Sequence, residues 1–347
     1  KLQEVVPDSI PFPCSLKNGR SPKKPKSVHK LKPGDVDVIG AIGDSLTVGS
    51  GLTSTNILEI LLEERGKSFT IGGERSWREY LTLPNILKMF NPNLIGYSLK
   101  TSLSIERESQ FNVAEVGALS EHMPYMTKVL IHRIRSDRRV NFNEDWKMVT
   151  MYIGSNDFCS NICYLENPEA SLERHKNDLI EVLRLFRDNL PRTIVNLIPL
   201  AHLQILVNLK VKPSCDIYHR VECPCLFGLP FESRKSLLYD LMNRWQKIDV
   251  EVGDNPEFDL DDFTVVVQPF TLNFTFPTAS GGREIDHSYL AEDCFHFSQK
   301  FNAKVANDLW NNIMEPVGRK SRDGNDLFKK FNCPTDARPY IFTKRNS

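Results

Sequence analysis

Four short apolar runs alternate with amphipathic segments along this chain, and this alternation most constrains the fold. The runs are VDVIGAI, MVTMYIG, TIVNLIPL and FTVVVQPF, at residues 36–42, 148–154, 193–200 and 263–270. Their length and apolar character predict buried strands. The helical spacing of apolar residues between them predicts helices within residues 115–136, 171–190, 232–252 and 298–314, the last with Ser298 as its N-cap. Strands that alternate with helices indicate a mostly parallel sheet with helices on both faces.

The overall composition is that of a soluble globular protein. Of 347 residues, 40% are hydrophobic and 25% are charged. Lysine plus arginine and aspartate plus glutamate both number 44, so the formal net charge is zero. Because nucleic-acid-binding proteins normally show a basic excess, we predict no nucleic-acid partner. No stretch of about 20 apolar residues occurs that would span a bilayer.

The chain divides into three predicted parts. Residues 1–35 are basic and contain several prolines, which predicts a solvated arm, with a patch for membrane surfaces as the alternative. Residues 36–315 hold the strands and helices of the main domain, and residues 316–347 form a polar tail. The chain begins KLQEVVPDS without a signal-peptide pattern, so we expect a mature or excised piece of a longer protein.

Eight cysteines favour disulfide bonds formed in an oxidising compartment, with buried free thiols as the alternative. Eight cysteines allow 105 pairings, so the connectivity stays open. The CSNIC and CPC stretches lack a matching pair of histidines, and we therefore predict no zinc site. One sequon, at Asn273, is a candidate glycosylation site and is consistent with secretion.

The first predicted strand ends in Gly-Asp-Ser-Leu, with Ser45 at the turn. Sites in parallel sheets form at the carboxyl ends of strands, which is where this hydroxyl falls. A helix that starts at this turn would favour negative charge developing beside the Ser45 N–H. Thr47 stands where Gly-x-Ser-x-Gly would need its last glycine, so the usual α/β-hydrolase motif is absent. Ser45 is therefore a candidate nucleophile, and an ordinary helix-capping turn is the alternative.

Three further stretches could complete a serine site. Asn156, in GSND after the second strand, could donate its amide to an oxyanion, although an Asx-turn is the plainer interpretation. Gly117, expected near the start of a helix, could offer a backbone N–H, or could be a packing glycine. Asp293 and His296 are three residues apart, so the carboxylate can hold one imidazole nitrogen and leave the other for Ser45.

The Gly-Asp-Ser-Leu stretch and these three further stretches together resemble the conserved sequence blocks of the GDSL, or SGNH, hydrolases. They occur in that family's order from residue 36 to about residue 314, which is most of the chain. The stretch TLPNILKMFNPNLIGYS, residues 82–98, resembles the repeats of B-type phospholipases. The segment GGERSWREY, residues 72–80, departs from the more glycine-rich form of those repeats, which leaves the substrate preference open.

The resemblance implies a flavodoxin-like αβα sandwich with a five-stranded parallel sheet. It implies that Ser45 is the nucleophile and that Asp293 and His296 complete the triad. The amides of Ser45 and Gly117 and the side chain of Asn156 are then expected to form the oxyanion hole. The resemblance implies neither a metal nor an organic cofactor.

The resemblance also implies a substrate and a location. Phospholipids, lysophospholipids and neutral glycerides would be hydrolysed at a membrane surface, by an ectodomain outside the cell. A carbohydrate acetylesterase on the same fold and a catalytically silent lipid-binding repeat stay open as alternatives. The loop after Ser160 and residues 212–230 are candidate lids. The oligomeric state is not set by the sequence.

Overall fold

A four-stranded parallel sheet in the order β1-β2-β3-β4 lies at the centre of the computed structural model, which describes residues 1–209, 212–279 and 285–347. The strands are β1 (Val36–Gly43), β2 (Trp146–Tyr152), β3 (Thr193–Leu197) and β4 (Phe263–Val267). All four coincide with the apolar runs, so the strands predicted from the sequence are confirmed.

The fifth strand that the family resemblance implied does not form within the described residues. Two separate stretches lie beside β1 in its place. Ile95 pairs with Val38, and Asn112 pairs with Ala41, each as an isolated parallel bridge. Between them Gly96 adopts φ 103°, and a Cβ at Gly96 would collide with the β1 backbone. At that φ the backbone leaves the extended conformation, so the pairing that begins at Ile95 ends there.

Nine α-helices occur in the described part of the chain. They are α1 (Ser45–Val48), α2 (Leu83–Phe90), α3 (Met123–Ser136), α4 (Ala170–Asn189), α5 (Gln204–Val207), α6 (Pro213–Glu222), α7 (Pro224–Phe227), α8 (Lys235–Gly253) and α9 (Gln299–Ile313). Ser298 caps α9 through its hydroxyl, which accepts a hydrogen bond from the Phe301 N–H. The sequence predicted this cap.

The helix predicted to begin at residue 115 begins instead at Met123. Pro124 explains the difference, because proline is tolerated in the first turn of a helix and disrupts a helix interior. The preceding residues form turns and a short 3₁₀ segment at Ser120–His122. Gly117 consequently lies in a turn and not on a helix.

The helices cover the sheet on both sides and give three layers. In β1, Val38 and Ile42 point towards the face packed by α3, α4 and α8, whereas Ile39 and Ala41 point towards the face that includes α2 and α9. This alternation follows from the two-residue period of a strand. Because both faces of the sheet are covered, every residue of the first three strands is buried. The αβα layering predicted for the domain is thus confirmed.

Most residues of the N-terminal arm are exposed, as predicted for a solvated segment, but several side chains tie the arm to the domain. The Gln3 N–H donates to Gln299, and the Gln3 side-chain oxygen accepts the Leu81 N–H. Lys24 forms ion pairs with Asp37 and Asp145 at 2.8 and 2.7 Å. The composition of the arm gave no sign of these specific partners. The domain limits at residues 35 and 315 stay predictions.

Four disulfides join all eight cysteines, which confirms the disulfide prediction. They are Cys14–Cys333, Cys159–Cys223, Cys163–Cys225 and Cys215–Cys294. The first ties the arm to the tail. Among the described helices none has both the length and the apolar character needed to cross a bilayer.

Candidate active site

The carboxyl end of β1 places Ser45 in the turn that opens α1. Asp44 caps this helix, since its carboxylate accepts the Leu46 N–H at 3.0 Å. A side chain at Gly43 would meet the Tyr152 carbonyl oxygen at 2.6 Å, so only glycine fits before the turn. Because α1 is a single turn, its dipole contributes less than the sequence argument assumed. What the turn does provide is the N–H of a first helical residue, which has no partner within the helix.

A loop ahead of α9 carries the histidine. The Asp293 Oδ1 accepts the backbone N–H groups of Phe295 and His296 at 2.9 and 3.0 Å. Its Oδ2 lies 2.5 Å from His296 Nδ1, and His296 Nε2 lies 2.8 Å from the Ser45 hydroxyl oxygen. We call these three side chains the Ser45 relay. With Nδ1–H donated to the carboxylate, Nε2 is left to accept the serine proton.

Burial and charge act against each other in the Ser45 relay. Burial disfavours the imidazolium, but the adjacent Asp293 carboxylate outweighs it and raises the pKa of His296. Burial would also raise the pKa of Asp293, whereas the attraction of His296 lowers it. Asp44 is fully buried beside the relay, and desolvation raises its pKa to about 6. The carboxylate at Asp293 is therefore the one held ionised against the imidazole.

Asn156 lies four residues after β2 and faces the turn that contains Gly117. Its side-chain Nδ2 donates to the Ala118 carbonyl oxygen at 3.1 Å. Gly117 is exposed and adopts φ 74°, a conformation that favours glycine, and a Cβ there would meet no atom within 4 Å. Asn156 also lines the same cavity as Ser45. The oxyanion roles of Asn156 and Gly117 stay predictions.

An apolar cavity of about 40 Å³ opens beside Ser45. Its walls are mostly aliphatic and aromatic, formed by Leu46, Tyr152, Leu203, Ile205, Leu206, Phe274, Phe276, Phe295 and Phe297. Three of these residues, Ile205, Phe274 and Phe276, also line a wider open groove of about 470 Å³. The two spaces therefore adjoin and share an apolar wall.

The two candidate lids are linked to each other and to the relay. Residues 212–230, here called the cap segment, contain α6 and α7. Disulfides join the cap segment to the loop beside Ser160 through Cys159 and Cys163, and Cys215 joins it to Cys294, next to Asp293. These bonds restrict any independent opening of either candidate lid.

A second serine–histidine–aspartate arrangement lies away from the Ser45 cavity. The Ser120 hydroxyl is 2.7 Å from His175 Nδ1, and His175 Nε2 is 2.8 Å from Asp249 Oδ1. The imidazole stacks on Trp245 with ring centres 3.7 Å apart. The Ser120 N–H donates to Asp157 at 3.0 Å. We call Ser120, His175 and Asp249 the Ser120 relay.

A family comparison decides where this chain belongs. The family model described as GDSL-like Lipase/Acylhydrolase matches residues 39–309. The chain belongs to the GDSL-like lipase/acylhydrolase family. The predictions of GDSL membership and of an ester hydrolase are thereby confirmed. The matched range contains Ser45 and His296.

Curated relatives carry the name "Phospholipase B1, membrane-associated". The chain is 38% identical to the mouse (Mus musculus) protein over its whole length, and 36% identical to the human (Homo sapiens) protein over 93% of the chain. The rat (Rattus norvegicus) protein is 34% identical over 97% of the chain. These matches cover 24%, 22% and 23% of the relatives. The chain thus spans about a quarter of the length of the curated relatives that it matches.

Two features of this GDSL domain were missed from the sequence. Glu222 lies beside Asp293 and His296, although 71 residues separate the two acidic residues, and only the Cys215–Cys294 pairing could have signalled the contact. Both ring nitrogens of His296 already bond to protein groups, and the absence of a metal stays a prediction. The Ser120 relay carried no motif at all, since its members come from three distant segments.

Asn273, the predicted glycosylation site, is exposed. Its backbone N–H donates to the Arg322 carbonyl oxygen at 2.8 Å, and this bond does not involve the side chain. Glycosylation at Asn273 stays a prediction.

Proposed function

We propose that this chain is a serine esterase that hydrolyses acyl esters of phospholipids and lysophospholipids through an acyl-enzyme at Ser45. The observation that carries the proposal is the 2.8 Å contact between the Ser45 hydroxyl and His296 Nε2 beside an apolar cavity. The relatives named phospholipase B1 favour the same substrate class. An extracellular location at a membrane surface is part of the proposal, and the four disulfides are compatible with it.

The mechanism follows from the Ser45 relay. His296 Nε2 takes the Ser45 proton while the serine oxygen attacks the acyl carbonyl carbon, and Asp293 stabilises the imidazolium that forms. The amides of Ser45 and Gly117 and the Asn156 side chain would hold the oxyanion. His296 then gives the proton to the departing alcohol oxygen of the lipid. Water repeats the sequence on the acyl-enzyme and releases the fatty acid.

The shape of the site favours a long acyl chain over an acetyl group. An acetyl group needs no apolar surface beyond the reacting carbon, whereas here the apolar cavity at Ser45 adjoins a wider groove that shares Ile205 and Phe276 with it. No charged side chain lines the small cavity within the described residues. A carbohydrate acetylesterase is therefore the weaker candidate. The completeness of the Ser45 relay likewise disfavours a silent binding repeat.

Acyl-length dependence tests the proposal. We expect hydrolysis of palmitoyl-lysophosphatidylcholine and no release of acetate from acetylated xylan. Ile205→Trp narrows the junction between the two spaces, so kcat/KM should fall for palmitoyl esters and stay near the wild-type value for butyryl esters. Ile217→Trp, at an exposed position of α6, is the matched control and should change neither. Release of acetate with no action on long-chain esters would refute the proposal.

A further inference from the structure

The cap segment delivers one carboxyl group to the Ser45 relay. Helix α6 ends at Glu222. Its first turn is bonded to the relay loop by Cys215–Cys294, and Cys294 directly follows Asp293. His219 Nε2 also lies 2.9 Å from the Cys294 carbonyl oxygen. Two independent links thus fix the orientation of α6 against the loop that carries the relay.

Glu222 meets the relay at close range. One ligand atom each from Glu222, Asp293 and His296 lies within 4.8 Å of the others. The Glu222 Oε2 is buried, and no donor in the described parts of the chain reaches it. An ionised carboxylate without a donor would be costly in such a place. A protonated carboxyl group, in contrast, needs an acceptor, and Asp293 offers one.

The donor count decides which carboxyl group keeps the proton. Asp293 accepts three N–H groups, from the backbone of Phe295 and from the backbone and ring of His296. Two adjacent carboxyl groups do not both ionise readily, and the one with more donors ionises first. Burial, reinforced by the negative charge of Asp293, raises the pKa of Glu222 to about 8. Glu222 is thus the neutral member of the pair.

We propose that Glu222 is a positioning residue of the Ser45 relay and donates its carboxyl proton to Asp293 in a hydrogen bond. This inference rests on the proposed function, because it presumes that Asp293 serves in catalysis. The bond fixes the Asp293 carboxylate against the imidazole. A neutral Glu222 also leaves His296 facing less negative charge, so the imidazole gives up its proton more readily and can act as the base.

The arrangement makes the relay sensitive to alkaline pH. The titratable groups that act on Glu222 are Asp293 and His296 on the relay loop, while Asp44 acts on His296 from the β1 side. When Glu222 ionises, it can no longer donate a hydrogen bond to Asp293, and the two adjacent carboxylates repel each other, so Asp293 is no longer held against the imidazole. Activity should therefore decline on the alkaline side, near the pKa of Glu222.

Two variants separate positioning from mere packing. Glu222→Gln keeps a neutral donor of equal length, so kcat should stay near the wild-type value while the alkaline decline disappears. Glu222→Leu removes the donor, so kcat should fall roughly tenfold with KM unchanged, the loss expected for one hydrogen bond to a charged group. Asp216→Asn, on the same helix, is the matched control and should keep the wild-type profile, because its side chain is half exposed and pairs with Arg220 away from the relay loop. Hydrolysis of p-nitrophenyl butyrate across pH measures all three.

The result that overturns the proposal is an alkaline decline in Glu222→Gln equal to that of the wild type, or an unchanged kcat in Glu222→Leu. The low-field proton NMR signal of His296 Nδ1–H gives a second readout that needs no substrate. It should shift near pH 8 in the wild type and stay constant in Glu222→Gln. A protein that ignores every ester yet shows this shift would refute the proposed function and support the role of Glu222.

Discussion

The Ser45 and Ser120 relays have nearly the same hydrogen-bond lengths and very different surroundings. Ser45 lies beside an apolar cavity, and its N–H belongs to the first residue of a helix. Ser120 lines a cavity whose walls include Glu121, Asp157 and Arg174, and its N–H is bonded to Asp157. The second relay therefore lacks both an oxyanion donor on its serine and an apolar space for a chain.

The comparison teaches that a serine–histidine–aspartate arrangement is not by itself a catalytic site. The Ser120 relay joins the turn before α3 to α4 and α8, and Asp249 also accepts the Leu200 N–H at 3.2 Å. It satisfies buried polar groups and holds three elements together. Catalysis needs, in addition, free donors for the oxyanion and room for the substrate.

Ser45→Ala should produce the largest effect. We expect turnover of lysophosphatidylcholine to fall by roughly 10⁴–10⁶-fold, because no other group in the site replaces the nucleophile. A fluorophosphonate probe should label the wild type and Ser120→Ala but not Ser45→Ala. Labelling at Ser120 in the Ser45→Ala protein would abolish the distinction between the relays.

Asn156→Ala tests whether the oxyanion donor belongs to the Ser45 relay. Loss of one such donor should lower kcat by about 10²–10³-fold with little change in KM. Asn161→Ala, beside the polar cavity of the Ser120 relay, is the control and should leave kcat unchanged. Equal kcat values for the two variants would remove Asn156 from the proposed mechanism.

His175→Ala should affect stability rather than chemistry. The change leaves Asp249 without its imidazole partner and removes the stack on Trp245, so the free energy of unfolding should fall by about 3 kcal/mol. Urea denaturation measures this difference, and His132→Ala, at an exposed position of α3, provides the baseline. Activity per folded molecule should persist. Wild-type stability in His175→Ala would contradict the structural role of the Ser120 relay.

The dependence of kcat/KM on pH should report the Ser45 relay. Protonated His296 cannot accept the serine proton. Burial lowers the pKa of this histidine, but the charge of Asp293 outweighs burial and raises the pKa above 6.5. Below that raised pKa, kcat/KM should fall about tenfold per pH unit. His175→Asn should show the same decline of kcat/KM at low pH as the wild type. If the decline occurred at a different pH in that variant, the two relays would be coupled.

Ser120→Ala should give the smallest effect. Removal of the hydroxyl leaves His175 Nδ1 without its partner, which costs about 1–2 kcal/mol in the free energy of unfolding. The backbone N–H to Asp157 persists, so the turn keeps its place and turnover should stay near the wild-type value. Thermal denaturation together with the lysophospholipid assay measures both quantities.

The local parts of the fold and of the site were predictable from the sequence. The four strands follow from apolar runs, and the Ser298 cap follows from one hydroxyl before an apolar periodic segment. Asp293 and His296 are three residues apart, so their contact depends on one turn of chain. Ser45 was placed by the strand that precedes it. In each case a few neighbouring residues determine the structure.

The parts that depend on distant contacts were not predictable. The Asp157–Ser120 contact, the position of Glu222 and the packing of the arm all join segments far apart in the chain. The prediction of a fifth strand was wrong because the chain leaves the extended conformation at Gly96. This break depends on how the stretches around Ile95 and Asn112 each pack beside β1. The helix at residue 115 was a different kind of error, since Pro124 was visible in the sequence and its effect was not weighed.

The Cys14–Cys333 bond has a mechanical consequence. It joins two residues with a sequence separation of 319, and their Cα atoms lie 5.3 Å apart. A single proteolytic cut anywhere between these two residues leaves the fragments covalently joined until a reductant opens the bond. A mechanical force applied to the chain before residue 14 and after residue 333 is borne by the disulfide bond and does not act on the sheet. Units of this kind strung in series would pass tension along the array with each hydrolase left undeformed.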